Sequence, residues 1–339
     1  MSNDYNDYTG VWTIAEVRNG KINPVSYELL AWGRKLADKL NVKLSSVIVG
    51  HGIKDDVREA IYFGADNVYM VDHPRLEHFL PDVHARIYKA LANEYKPEII
   101  IASATTYGRT IMPILAAELS TGLTADCTEL DVDEKERLLL QTRPAIGGNV
   151  MATIKTPNIR PQMSTVRPKA KKPLKRDERR KGNIIPKDYP DEFYTSNYEW
   201  ISFEKDESVD SPIQESDVII AGGKGLKNEK NFKMLFDLAE KLNGAVGASR
   251  AAVDMGWIPY SHQVGLSGKS VSPRLYMAFG ISGAVQHIAG MSSSKIVVAV
   301  NTDPSASIFQ VADFGIIGDA LEILPQLVKR LQNEVKEDE

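Results

Sequence analysis

The sequence predicts a two-domain α/β protein, and three observations carry that prediction. The chain has 339 residues, 43% of them hydrophobic and 25% charged, enough for each half to bury its own core. Short apolar runs alternate with amphipathic segments, the pattern of helices layered on a mostly parallel sheet. A polar, proline-containing and charge-dense stretch from Arg167 to Pro212 then interrupts that alternation.

In the first half, strands are expected at Val11 to Val17, Leu44 to Val49, Val68 to Val71 and Glu98 to Ala102. Between them the spacing predicts helices at Ser26 to Leu40, Lys54 to Phe63, Pro81 to Tyr95 and Tyr107 to Leu119. Leu29, Leu30, Leu36, Ala37 and Leu40 fall near helical spacing, so one face of the first helix turns inward. Pro81 suits a first helical turn, where its missing N–H costs nothing. After Ala125 the pattern becomes extended, at Arg137 to Thr142, Gly148 to Ile154 and Gln162 to Val166, and reads as a β-extension closing this domain.

The segment from Arg167 onward, including KAKKPLKRDERRK at Lys169 to Lys181, reads as a surface excursion and linker. The expected division is an N-terminal domain over 1–205, a linker over 206–214 and a C-terminal domain over 215–339. The second domain opens with a buried-strand signal at Asp217 to Ala221 and a helix at Asn228 to Leu242. Phe232, Leu235, Phe236, Ala239 and Leu242 would share one face of that helix. Further strands are expected at Ala245 to Ala248, Arg274 to Phe279, Ile296 to Ala299 and Phe314 to Ile317, and a last helix at Asp319 to Val335.

Composition excludes several classes. With 41 basic and 45 acidic groups, the net charge of -4 gives no global field favouring nucleic acid or an acidic membrane. Cys127 is the only cysteine, so neither an internal disulfide nor a thiolate metal cluster is available, and a small buried side chain is its expected role. No apolar run approaches the ~18 residues of a membrane span, and the polar start MSNDYNDY lacks the regions of a signal peptide. A cytoplasmic location without membrane insertion is the expectation.

Two glycine turns could carry chemistry. Gly222-Gly223-Lys224-Gly225 follows a buried strand and precedes a helix, where backbone N–H groups favour phosphate. It lacks both the dinucleotide fingerprint and the P-loop Lys-Ser/Thr, so a plain strand-to-helix turn explains it equally well. Gly280-Ile281-Ser282-Gly283 repeats the arrangement after LYMAF, and two such turns in one domain suggest a ligand with two phosphates. The helix that follows carries Gln286 and His287 among apolar neighbours, a context in which a satisfied core histidine is the commoner outcome. Between the turns, Gly247 to Pro273 has neither helical nor strand period, which is typical of binding loops and also of plain surface loops.

SRAAVD (Ser249 to Asp254), PYSHQVGLSGKSVSP (Pro259 to Pro273), LYMAFGISGAVQHIAGM (Leu275 to Met291) and FQVADFGIIGD (Phe309 to Asp319) closely resemble the FAD domain of electron transfer flavoprotein alpha subunits. TRPAIGGNVMATI (Thr142 to Ile154) and RPQMSTVRP (Arg160 to Pro168) extend the resemblance, more loosely, into the first half. It implies a nucleotide-binding-like α/β domain with a β-extension, followed by a flavodoxin-like, doubly wound FAD-binding domain.

The resemblance also implies site residues. Gly223, Lys224 and Gly225 in the first turn, with Gly280, Ser282, Gly283 and Ala284 in the second, would serve the cofactor's phosphates. Ser249, Gln263, Val264, Gly265 and Leu266 would line it, together with Val285, Gln286, Asn301 and Asp319. Asp319 could instead cap its helix. Three residues would tune the flavin: Arg250 as a cation beside the ring system, Ser267 as a donor to N5, and His287 as a donor near O2. Ser267 stands where the family often has threonine, which keeps the hydroxyl and drops the methyl that would fix its rotamer. No metal is implied.

The implied partner is a beta subunit carrying either AMP, in a simple carrier, or a second FAD, in an electron-bifurcating complex. The opening VWTIAEVRNGKINPVSYELL resembles the anaerobic and nitrogen-fixation branch and favours the latter, in which NADH electrons divide between ferredoxin or flavodoxin and an acyl-CoA dehydrogenase. On that reading the chain is an electron carrier, and an NADH-oxidising enzyme only as part of the complete complex. Two rivals differ in class: a dehydrogenase with its own substrate pocket, and a module using Lys169 to Lys181 as a nucleic-acid arm. Asp177 and Glu178 inside that run, within an acidic chain, argue against the second.

Overall fold

The computed structural model describes residues 7–145, 150–203, 213–214 and 216–337. The chain divides into two compact units, Met1–Arg143 with Met151–Phe203, and Pro144–Val150 with Glu204–Glu339. Apart from 213–214, the expected linker over 206–214 lies outside the described residues, as do residues 1–6 and the first two positions, Gly148 and Asn149, of the extended segment expected at Gly148 to Ile154.

In the first unit, β1 (Val11–Ile14) is followed by a small antiparallel ribbon, β2 (Val17–Arg18) and β3 (Lys21–Ile22), so the strand expected to reach Val17 stops three residues early. The unit continues through α1 (Val25–Leu40), β4 (Leu44–Gly50), α2 (Val57–Tyr62), β5 (Asn67–Asp72), α3 (Pro81–Tyr95), β6 (Ile99–Ser103) and α4 (Thr106–Glu118). Then come β7 (Leu123–Cys127), β8 (Glu129–Asp133), β9 (Leu138–Pro144), β10 (Met151–Ile154), β11 (Gln162–Val166) and β12 (Asn183–Pro186).

Seven of these strands form one sheet in the order β12-β5-β4-β1-β6-β11-β7, with every adjacent pair parallel. Strand β4 is buried along its whole length, as a strand covered on both faces must be. Helix α1 buries Leu29, Leu30, Leu36, Ala37 and Leu40 and stops at Asn41, whose left-handed conformation ends the helix.

Two expectations are corrected here. Only β8, β9 and β10 form the separate β-extension; β11 is an inner strand of the parallel sheet, buried at all five positions. Its alternation of small polar and apolar residues imitates a half-exposed strand, although Ser164 and Thr165 are both fully buried. The segment read as surface excursion and linker also contributes a strand, β12, which extends the sheet edge in parallel with β5. Its charged run lies along the unit: Arg176 pairs with Glu59 at 2.6 Å, and Lys171 sits 4.7 Å over the Trp32 ring.

The second unit is a five-stranded parallel sheet of β13 (Val218–Gly222), β14 (Ala245–Ala248), β15 (Leu275–Phe279), β16 (Ile296–Asn301) and β17 (Phe314–Ile317). The order is β14-β13-β15-β16-β17, so the chain leaves the first strand in one direction and later returns to its other side. Helices α5 (Lys233–Lys241), α6 (Arg250–Asp254), α7 (Val285–Met291) and α8 (Ala320–Glu337) connect and flank these strands. The α5 stripe differs from expectation: Glu229–Phe232 form a tight 3-10 turn, and Leu235, Leu238 and Ala239 face inward while Phe236 is 44% exposed. The change from three to 3.6 residues per turn shifts the phase of the stripe.

Candidate cofactor-binding site

In sheets of this order, ligands bind beyond the carboxyl ends of the strands, where successive connections leave in opposite directions. Here that point lies between β13 and β15, and each strand ends in one of the two glycine turns.

The turns hold each other. The Gly223 amide donates to Phe279 O at 2.9 Å and the Gly225 amide to Gly280 O at 3.0 Å. A Cβ on Gly223 would lie 2.3 Å from Gly280 O, and one on Gly225 would lie 2.6 Å from Gly280 Cα. Glycine is therefore needed for close approach, and these two amides are already engaged. Lys224, between them, is exposed and makes no ion pair among the described residues.

The second turn is open. Gly280 and Gly283 take φ of +62° and +82°, conformations natural to glycine. Ile308 donates to Ser282 O at 3.1 Å, whereas the amides of Ser282, Gly283 and Ala284 donate to no partner among the described residues. Ala284 precedes α7 without a side-chain cap, so the donors at the start of this helix face a ligand or water.

The aperiodic stretch folds against α7. Val264 donates to Ala248 O at 2.9 Å and Leu266 to Gln286 O at 2.9 Å, which leaves the exposed Leu266 and Ser267 at the end of the loop. Gly265 adopts φ +148° and a Cβ there would lie 3.0 Å from Gln286 O. Val285 and Gln286 are exposed on the first turn of α7. Ser249 donates its amide to Gly222 O at 2.9 Å, and its buried hydroxyl has no hydrogen-bond partner among the described residues.

The three residues expected to tune a flavin have distinct surroundings. Arg250 opens α6, 70% exposed, and pairs with Asp254 one turn on at 3.2 Å, an exposed contact worth little by itself. Buried Gln263 donates Nε2 to both the carbonyl and the hydroxyl oxygen of Ser267, each at 3.0 Å, and the Tyr260 hydroxyl donates to the same carbonyl at 2.7 Å. His287 is 6% exposed, with Nε2 2.9 Å from the Tyr276 hydroxyl. Burial pushes its imidazole down to about 4, against a smaller upward influence of the Val264 backbone. Nδ1 is buried and has no hydrogen-bond partner among the described residues, although the Val264 backbone favours the protonated ring. Tyr276 escaped the sequence reading; the signal was its place in LYMAF, an inward position on a strand leading to the histidine's helix.

Asn301 and Asp319 lie farther along the strand ends, lining with Gly225, Lys227, Gly280, Thr302, Gly318 and Ala320 a cavity of about 290 Å³. Asn301 donates to Ile281 O at 2.9 Å and accepts from the Asp303 amide at 3.0 Å, so it organises its own loop. Asp319 accepts from the Leu321 amide at 2.9 Å and pairs with Lys227 at 2.8 Å, which holds its carboxyl below the usual range. Its helix-capping role is thus present in the structure. Among the described residues no group of three His, Cys, Asp or Glu could hold a metal, and no helix is long and apolar enough to cross a membrane.

Order of strands, paired glycine turns and a loop returning to the switch point define a parallel α/β protein with a crevice where sheets of this order bind ligands. Residues 11–191 match the electron transfer flavoprotein domain, and residues 212–292 match the electron transfer flavoprotein FAD-binding domain. The chain is 48% identical over 327 residues to an electron transfer flavoprotein subunit alpha of Thermoanaerobacterium thermosaccharolyticum, covering 96% of this chain and 99% of that one. It is 45% identical to a protein FixB of Clostridium saccharobutylicum, covering 95% and 96% of the two chains. An acryloyl-CoA reductase electron transfer subunit beta of Anaerotignum propionicum is 38% identical, covering 98% of each. The chain belongs to the electron transfer flavoprotein alpha subunit family.

The site's own chemistry fits a flavin dinucleotide. The amides of Ser282 to Ala284, without partners among the described residues, suit a pyrophosphate, and the Ser249 hydroxyl and His287 Nδ1 are buried polar atoms with no hydrogen-bond partner there.

Proposed function

We propose that this chain binds one FAD at the β13/β15 switch point and relays electrons between flavoprotein partners as the alpha subunit of a heterodimer. The observation that carries this is the convergence, at one point of the sheet, of the open Gly280–Ala284 turn, the Ser267 hydroxyl held by Gln263, and the buried neutral His287. FAD would supply reversible one- and two-electron chemistry.

The protein's contribution is binding and electrostatics. Ser282, Gly283 and Ala284 present backbone donors to the pyrophosphate. Because Gln263 donates to Ser267 Oγ, the serine's own proton is free to be given to a ring nitrogen. His287, neutral, donates a hydrogen bond without bringing a formal charge. Arg250 brings that charge from its exposed position and favours an anionic reduced ring. Val264, Gly265, Leu266, Val285 and Gln286 form the wall along which the ring and its ribityl chain would lie. Gly223, Lys224, Gly225, Asn301 and Asp319 are proposed to bound the remaining length of the cofactor, the glycines by letting the two turns touch.

A beta subunit is proposed as obligate partner, in line with relatives that are named as subunits of electron transfer complexes. The bifurcating form, with NADH, ferredoxin or flavodoxin and an acyl-CoA dehydrogenase, is supported by likeness to FixB proteins and to the acryloyl-CoA reductase subunit. A cytoplasmic location belongs to the same proposal. Co-expression with the beta subunit, followed by acid release and counting of FAD per heterodimer, tests it. Two FAD fit the bifurcating complex, one fits a simple carrier with AMP in the beta subunit, and a colourless heterodimer refutes the FAD site.

A further inference from the structure

Tyr276 is fully buried on β15, and among the described residues its hydroxyl has one hydrogen-bond partner, Nε2 of His287. The rings meet edge to face with centroids 6.1 Å apart, so packing as well as the hydrogen bond fixes their geometry. A phenol this buried keeps its proton, because burial raises its pKa far above the ordinary value.

Counting donors decides which way the bond runs. A neutral imidazole has one N–H and one lone pair. If the proton sat on Nε2, it would donate to the phenol oxygen. The phenol O–H and the Nδ1 lone pair would then both be buried without partners, because Nδ1 has none among the described residues. If the proton sits on Nδ1, the phenol donates to the Nε2 lone pair and a single group, Nδ1–H, is left over. Each buried donor or acceptor left unpaired is destabilising, which favours the second arrangement.

We propose that Tyr276 is a positioning residue for this site: its hydroxyl donates to His287 Nε2 and fixes the buried imidazole as the neutral Nδ1–H tautomer. The tautomer follows from the protein alone, while its effect on a bound cofactor rests on the FAD reading given above. Protonating Nε2 would force the phenol to give up its only acceptor, so the same contact also resists conversion of His287 to a cation.

The test is long-range proton–nitrogen NMR on the heterodimer carrying 15N-labelled histidine, with the His287 signals assigned by their loss in His287→Asn. Protonation of Nδ1 and a bare Nε2 are expected; a protonated Nε2 overturns the proposal. Tyr276→Phe keeps the ring and removes the hydroxyl. It should release the tautomer preference and change the equilibrium constant for the first electron by roughly fivefold, the worth of one hydrogen bond. An unchanged tautomer and unchanged potential in a folded, FAD-loaded Tyr276→Phe protein would also overturn it. If that variant does not fold, the wild-type tautomer still decides. If the heterodimer takes up no FAD, the FAD reading fails, yet the nitrogen spectrum still reports whether Tyr276 sets the histidine.

Discussion

Gln263 Nε2 lies 3.0 Å from the Ser267 hydroxyl oxygen and 3.0 Å from its carbonyl oxygen, so one buried amide clamps both ends of an exposed serine. The direction of that bond matters more than its length. A hydroxyl that accepts from Gln263 keeps its own proton for donation elsewhere.

Ser267→Ala should therefore shift the first one-electron equilibrium of the bound cofactor by about one hydrogen bond, ~1 kcal/mol. Gln263→Leu should shift it in the same direction by less, since the hydroxyl stays but loses its clamp. A spectroscopic redox titration of the heterodimer measures both, and identical curves for Ser267→Ala and wild type would place the hydroxyl away from the ring.

Arg250→Ala should lower the first reduction potential, because a permanent cation beside an anionic product is lost. Arg250→Lys should retain part of the effect. Asp254→Asn, which removes the carboxylate 3.2 Å from Arg250, should move the potential the opposite way. These shifts should shrink as salt is added, since the side chain is 70% exposed. Potentials insensitive to all three changes would remove Arg250 from its role.

Gly283→Ala should destabilise the second unit by about 2 kcal/mol or more. The residue sits at φ +82°, and the new methyl would lie 2.2 Å from the Ile308 amide nitrogen. Urea denaturation followed by the fluorescence of Trp257, which lies in this unit, reads the loss, and FAD retention should fall with it. A variant as stable as the parent would mean that the turn can relax away from Ile308.

His84 and His287 are both buried and both pushed down to about 4, chiefly by burial. Their unfolded forms take up a proton near the ordinary histidine value of about 6.5. Between those values the unfolded chain binds more protons, so stability falls as pH is lowered from about 6.5 to about 4 and is unaffected by these groups above that window. Each contributes a slope of about 1.4 kcal/mol per pH unit at mid-window. His84 belongs to the first unit and His287 to the second, so replacing His84 with Gln should flatten only the first unit's dependence. Urea midpoints measured across this pH range provide the check; a slope unaltered by His84→Gln would show that other groups carry it.

Strand and helix positions were legible wherever burial and local pattern agreed. Helix α3 and strand β14 occupy the residues expected from spacing alone, and so does β17, although its four residues are exposed. The reading failed where a distant partner decides. Strand β11 looks half-polar until it is placed between two parallel neighbours, and β12 has no apolar run to announce that β5 would accept it. The stripe of α5 went astray because a 3-10 turn precedes the helix, a local choice that apolar spacing does not encode.

The sequence by itself determined the family, the two glycine turns and the residue types offered to a cofactor, because these reside in short motifs read along the chain. Only the tertiary structure decided which groups remain available. It engaged the amides of Gly223 and Gly225, left those of Ser282 to Ala284 without partners among the described residues, and set Tyr276 against His287 across eleven positions of sequence. Hydrogen-bond donors and acceptors are spent in pairs, and the partner in each pair is chosen by where the strands of the sheet come to lie.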